Sequence, residues 1–337
     1  MPKGLLRRLG AVLLQGAVSL AITLVLLEGL VVFSFRYPAL SPIPGGVLRQ
    51  MHVLFDRNTI QVMPECAVYD DTLTYTLRPG TCMFANREFS NAFAINTLGL
   101  RDDAASLEQP RVVVLGDSVA MGWGVDQEAA FPSVVERLTG WRTLNAGVSS
   151  YGTVRELRML QRIDWRALTD VIIQYSDNDL VENEQFAAGR FTTLSRDGYE
   201  GTVRAQADMV RYHPGKHTLN LLVMIRNLMR ERGTSAVAPT REREAAAFLT
   251  AIAQSPVDLA AYHVTVLSLD AGFVQTVRPL AATSSVAVIQ RLRFLDVSAI
   301  SAMPDAFYVL DGHPKAVGHE AIGRALAETL ARRQLTP

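Results

Sequence analysis

Several apolar runs in this chain end on residues suited to acyl chemistry. In "VVVLGDSVAMGWG" (112–124) a β-branched run stops at Gly116, Asp117 and Ser118, and a helix-compatible segment follows. A hydroxyl there stands beside unpaired helix N–H groups, whose dipole favours developing negative charge. Ser118 is therefore a candidate nucleophile, although Ser118 or Asp117 can equally be a simple helix cap. A nucleophilic serine needs a base within hydrogen-bond reach, usually histidine. Of the six histidines (His52, His213, His217, His263, His313 and His319), only His313 follows a carboxylate by two residues, in a loop feeding a terminal helix, "YVLDGHPKAVGHEAIGRAL". Positions i and i+2 of an extended loop point the same way, so Asp311 is the candidate to orient His313. His319 opens the helix and reads as a solvated or capping residue, while His213 and His217 read as surface residues of an inserted segment. A tetrahedral intermediate also needs donors. The Gly147 N–H after "TLNAG" and the Asn178 amide in "SDND" fall at the ends of two further runs, where both residue types are also ordinary in turns.

The elements that must place these groups follow from periodicity. "VVVLG" (112–116), "TLNAG" (143–147), "DVIIQYS" (170–176), "VTVLSLD" (264–270) and "LRFLDVS" (292–298) read as strands. "EAAFPSVVERLTG" and "TVRELRMLQRIDWRALT" show helical spacing. Alternating strands and helices imply a parallel sheet in a three-layer α/β/α sandwich, with its chemistry at the strands' carboxyl ends. About 85 residues separate "QYSDND" from the next strand, more than one crossover needs. Residues about 181–245 are therefore expected to form a cap over the sheet's end, with "LNLLVMIRNLM" packing it down.

The N-terminus differs in kind. Between Arg8 and Arg36 lie 27 residues with Glu28 as the single charge; as a helix this run reaches roughly 40 Å, enough for the ~30 Å hydrocarbon layer. Lys3, Arg7 and Arg8 precede it, which predicts a cytoplasmic N-terminus and an extracytoplasmic remainder. The run is longer than a signal-peptide core and "FSFRYPAL" is a poor cleavage site, so an uncleaved anchor is expected. Glu28, near the outer end, is read as reaching interfacial water. Residues 1–36 are thus the cytoplasmic tip and anchor. Residues 37–110 form a Pro-punctuated stalk and a small β-rich lead-in of short strands and turns, and residues 111–337 form the α/β domain. Cys66 and Cys82 suit a disulfide in an oxidising compartment, worth on the order of 3 kcal/mol by chain entropy. With only two thiols and no histidine clustered near them, a zinc site is not expected. Lys plus Arg and Asp plus Glu are both 33, so no polyanionic partner such as nucleic acid is indicated.

"GDSVAMGWG", "NAG", "SDND" and "DGHP", in this order, resemble the four blocks of the SGNH, or GDSL, hydrolases over residues 111–335. The preceding "INTLGLRDD" is similar to the lead-in of membrane-anchored bacterial members. The resemblance implies a flavodoxin-like fold with Ser118 as nucleophile, His313 as base, and Ser118 N–H, Gly147 and Asn178 as the oxyanion hole. Two positions depart from the pattern: Ser176 replaces the usual glycine of the third block. Asp311 stands two rather than three residues before the histidine, with Asp305 or a backbone carbonyl as substitutes. The family implies an esterase needing no metal or organic cofactor, cleaving acetyl or short acyl esters of an envelope glycan or lipid through an acyl-serine, at the bacterial inner membrane. An O-acetyltransferase using the same acyl-enzyme and a non-catalytic glycan-binding module are the alternatives.

Overall fold

A computed structural model describes residues 3–231 and 240–334. The chain divides into two units: Met1–Arg57 with Ala207–Val237 and Val309–Asp311, and Asn58–Gln206 with Ala238–Tyr308 and Gly312–Pro337.

In the larger unit the short alternating segments form two antiparallel hairpins, β1 (Ala67–Asp70) with β2 (Thr74–Leu77) and β3 (Gly80–Ala85) with β4 (Ser90–Ile95). The Cys66–Cys82 disulfide is present, with Cα atoms 5.3 Å apart. It lies in an apolar cluster with Phe84, Phe93 and Trp123.

The five predicted strands are β5 (Val112–Leu115), β6 (Thr143–Asn145), β7 (Asp170–Tyr175), β8 (His263–Ser268) and β9 (Arg293–Asp296). They form one parallel sheet in the order β6-β5-β7-β8-β9. Every residue of β5, β6 and β7 is buried, as a sheet covered on both faces requires. The two-residue period sorts their side chains into separate cores. Val113, Leu115, Val171 and Ile173 enter one with Leu157, Phe248 and Phe273, while Val112, Val114 and Ile172 enter the other with Phe131, Val135, Ile322 and Leu326. The fold is thus an α/β/α sandwich in flavodoxin-like order. Its strand order reverses at β5, which opens a crevice at that strand's carboxyl end. The helix expected across 153–169 stops at Leu160, where the Trp165 indole N–H donates to the Leu160 carbonyl at 2.8 Å.

In the smaller unit the apolar run forms one helix, Lys3–Arg36. Described residues from Gly10 to Leu26 are all exposed, whereas Val31, Ser34 and Phe35 are buried. The expected stalk is instead partly helical: Gly45–Phe55 forms a helix because Leu48, Met51 and His52 share a face that can be buried. They meet a core of Val31, Phe35, Met224 and Leu310. The inserted segment divides between the units, and helix Lys216–Glu231, with "LNLLVMIRNLM", turns Leu221 and Met224 toward this core. Glu28, only partly buried, is also bonded to protein: its carboxylate accepts from the Thr218 N–H and hydroxyl, each at 2.8 Å, and from the His217 N–H at 3.3 Å. His217 is buried rather than on the surface, its ring 5.2 Å from that of Phe35 and 5.7 Å from that of Tyr212. His213 is exposed, as expected.

Candidate active site

After β5 the chain must leave a fully buried strand and start a helix at once. Gly116 makes this possible at φ +154°, where a Cβ would lie 2.6 Å from the Ala120 Cβ. Asp117 then caps helix Ser118–Met121 by accepting the Val119 N–H at 2.9 Å. The two sequence readings of this tripeptide are therefore shared between residues: Asp117 is the cap and the Ser118 hydroxyl is left for other work. The Ser118 Oγ stands 2.8 Å from the His313 Nε2, across 195 positions of sequence.

His313 is held from two sides. Its backbone carbonyl accepts the Tyr308 N–H at 2.9 Å. Its ring stacks on the Trp123 indole, with centroids 4.7 Å apart and planes 17° from parallel. Trp123 is 2% exposed and packs edge-on against Phe84. A face-on indole fixes the plane of the imidazole.

Asp117 also gathers the other end of the site. Its carboxylate accepts from the Ser176 hydroxyl and the Asn178 amide, and complete burial pushes its pKa up against these bonds and the nearby His313. Ser176, in the family's usual glycine position, also accepts from Gln174 Nε2 at 2.7 Å. Gln174 Oε1 in turn accepts the Ala120 N–H at 3.0 Å. Asn178 precedes helix Asp179–Ala187 and borders a cavity of about 420 Å³ lined by Gln61, Ser150, Arg155, Thr202 and Gln206. Beneath it Asp179 is fully buried, accepts the Thr153 hydroxyl at 3.0 Å, and is held protonated toward higher pH by that burial.

Gly147 is where β6 comes closest to the nucleophile helix. A Cβ there would fall 2.4 Å from the Met121 nitrogen, so no side chain fits. Its N–H donates to Asn145 Oδ1 at 3.0 Å.

Of the remaining sequence candidates, His319 is fully buried, contrary to a solvated reading. Its Nδ1 accepts the Phe131 N–H at 3.2 Å, its ring stacks on Phe131, and burial lowers its pKa to about 3. Asp305 is largely exposed and 3.8 Å from Lys315. Asp311 belongs to the smaller unit, where it is buried with a carboxylate oxygen 3.7 Å from His52 Nε2. Gly312, at φ +83°, bends the chain between Asp311 and His313, so the extended-loop rule alone does not set their relative direction.

Three contributors went unassigned in the sequence. Trp123 was visible only as an aromatic residue in "GWG". Arg101 of "LGLRDD" is fully buried, donates to the Met121, Gly122 and Val125 carbonyls, and lies 3.6 Å from the Phe93 ring centroid. Burial lowers its pKa to about 10. It thereby clamps the exit of the nucleophile helix. Asp102 accepts the Asn145 N–H at 2.8 Å at the end of β6, with burial pushing its pKa up to about 6.

Neither family models nor curated proteins match the sequence. Among solved structures the chain is similar to a protein assigned to the lipolytic G-D-S-L family from Desulfitobacterium hafniense DCB-2: 13% identity, 64% of this chain, 97% of that one, TM-score 0.35. It is also similar to a family 2 carbohydrate esterase with a carbohydrate-binding domain from Corynascus thermopiles: 14% identity, 66% of each chain, TM-score 0.40. A family two carbohydrate esterase from Clostridium thermocellum, in complex with cellohexaose, aligns at 11% identity over 66% of this chain and 64% of that one, TM-score 0.39. These overlaps are loose, and the chemistry rests on Ser118 and its surroundings.

Proposed function

We propose that this chain is a serine ester hydrolase of the SGNH type, anchored by its N-terminal helix in a bacterial inner membrane with the larger unit outside the cytoplasm. The observation that carries the reading is the 2.8 Å contact between Ser118 Oγ and His313 Nε2 at the carboxyl end of β5, where the strand order reverses. His313 takes the serine proton as Oγ attacks the ester carbonyl. The resulting imidazolium, stacked on Trp123, then returns the proton to the leaving alkoxide. Water enters by the same base and releases the acid from the acyl-serine. The Ser118 N–H, Gly147 N–H and Asn178 amide are assigned to the oxyanion, with the Gly147 N–H shared between Asn145 and the substrate oxygen. Asp311, buried and two residues before His313, is assigned as the acid partner.

The hydroxyl, amide and guanidinium groups of the cavity beside Asn178 suit the polar, hydrogen-bonding body of an acylated glycan, and acetyl or short acyl esters are the proposed substrates. The disulfide supports an oxidising compartment. The test is hydrolysis of a short-chain aryl ester by the full-length protein in detergent. Hydrolysis by wild type and its disappearance in a folded Ser118→Ala variant is the expected outcome. Unchanged hydrolysis in that variant overturns the reading.

A further inference from the structure

Helix Lys216–Glu231 turns one face into the smaller unit's core and leaves another exposed. Leu219 is 54% and Leu222 51% exposed. Beside them a cavity of about 590 Å³ is walled on one side by Leu24, Val25 and Glu28 of the N-terminal helix and on the other by Tyr212, Pro214, Thr218, Leu219 and Leu222. Its wall is almost wholly apolar. Of the polar side chains set into it, Glu28, Thr218 and Tyr212, the first two are bonded to each other at 2.8 Å.

The position of this groove on the N-terminal helix says what fills it. From Gly10 to Leu26 that helix is exposed on every described side; from Leu27 onward one face, with Val31, Ser34 and Phe35, is covered by protein while Gly29, Leu30, Val32 and Phe33 stay exposed. Those 17 exposed residues span about 25 Å at 1.5 Å per residue, close to the ~30 Å hydrocarbon layer. The level at which one face becomes covered therefore lies near the outer edge of that layer. The groove straddles this edge, with Leu24 and Val25 below it and Glu28 at it. Exposed Tyr212 supplies an aromatic ring of the kind enriched at membrane interfaces. Arg211 adjoins Tyr212, which puts a cation beside the groove for an anionic headgroup.

Resting on the membrane placement proposed above, we infer that this groove binds an outer-leaflet phospholipid, its acyl chain lying between Leu24–Val25 and Leu219–Leu222. Helix Lys216–Glu231 is then a second point of membrane attachment, capped by Glu28 of the first.

The test uses the full-length chain in vesicles of phosphatidylcholine and phosphatidylglycerol, with single cysteines carrying an environment-sensitive fluorophore at Val25, Leu222 or exposed Glu200, in the variants Val25→Cys, Leu222→Cys and Glu200→Cys. Phospholipids spin-labelled along the acyl chain are the quencher, and circular dichroism confirms that each variant is folded. The expected result is loss of fluorescence at position 222 comparable with that at 25, and none at 200. A label at 219 (Leu219→Cys) repeats the measurement on the same wall. Quenching at 25 without quenching at 219 or 222 overturns the inference and leaves the anchor intact; quenching at none of them overturns the membrane placement itself. Efficient copy-to-copy crosslinking of Leu222→Cys by a short bismaleimide assigns the groove to a second chain and also overturns the inference.

Discussion

Among the helices that begin under a carboxylate, two differ in where that carboxylate comes from. At Ser118 the cap is the preceding residue, Asp117; at Thr218 it is Glu28, 190 positions earlier. The local cap is buried, accepts from Ser176 and Asn178 as well as from Val119, and leaves the serine hydroxyl to His313. The remote cap joins two apolar helices and touches no reacting group. One carboxylate organises chemistry and the other organises attachment. Changes around the first should therefore alter rate, and changes around the second should alter stability.

The largest expected effect is at the serine. Ser118→Ala should lower kcat for an aryl ester by roughly 10⁴-fold or more while leaving the thermal unfolding midpoint nearly unmoved. Asn178→Ala should lower kcat by roughly 10²- to 10³-fold through loss of one oxyanion donor, with a smaller change in KM. A drop confined to KM would remove Asn178 from the oxyanion hole.

His319 sharpens the contrast inside the larger unit, because it is a buried histidine bonded to the Phe131 N–H, whereas His313 meets Ser118. Its folded pKa, about 3, lies below the unfolded value of about 6.5. Its contribution is therefore intact above pH 6.5 and lost as pH falls toward 3, at up to about 1.4 kcal/mol per pH unit. Denaturant titrations between pH 7 and 4 should show this slope in wild type and a shallower one in His319→Gln. Equal slopes would mean that His319 is not kept neutral by the fold.

The smallest effect is expected at the remote cap. Glu28→Ala should cost about 0.5–2 kcal/mol of stability in detergent and leave kcat within about twofold, since a cap change acts on the fold and not on the barrier. A large fall in kcat would break the division between chemistry and attachment.

Much of this was legible because it is local. Short strand-forming runs ending in Gly-Asp-Ser, Asn-Ala-Gly and Ser-Asp-Asn-Asp state where strands stop, and their alternation with helical spacing implies a parallel sheet. The disulfide was legible from two cysteines in a short β-rich stretch. What misled was partition. The Pro-rich stretch after the anchor reads as a stalk, yet Leu48, Met51 and His52 find a core to cover them. The inserted segment reads as one cap, yet its middle belongs with the N-terminal helix. His319 reads as solvated because its buried partner Phe131 lies 188 positions away.

The sequence by itself determined the sheet, the nucleophile candidate and the long apolar helix, because each depends on period, turn chemistry or length within a few residues. Only the tertiary structure decided that Trp123 stacks on His313, that Arg101 clamps the helix carrying Ser118, and that Glu28 caps a helix. Each of these is a contact across at least twenty positions, and burial selects such partners by shape and unsatisfied hydrogen bonds, which have no signature in local spacing.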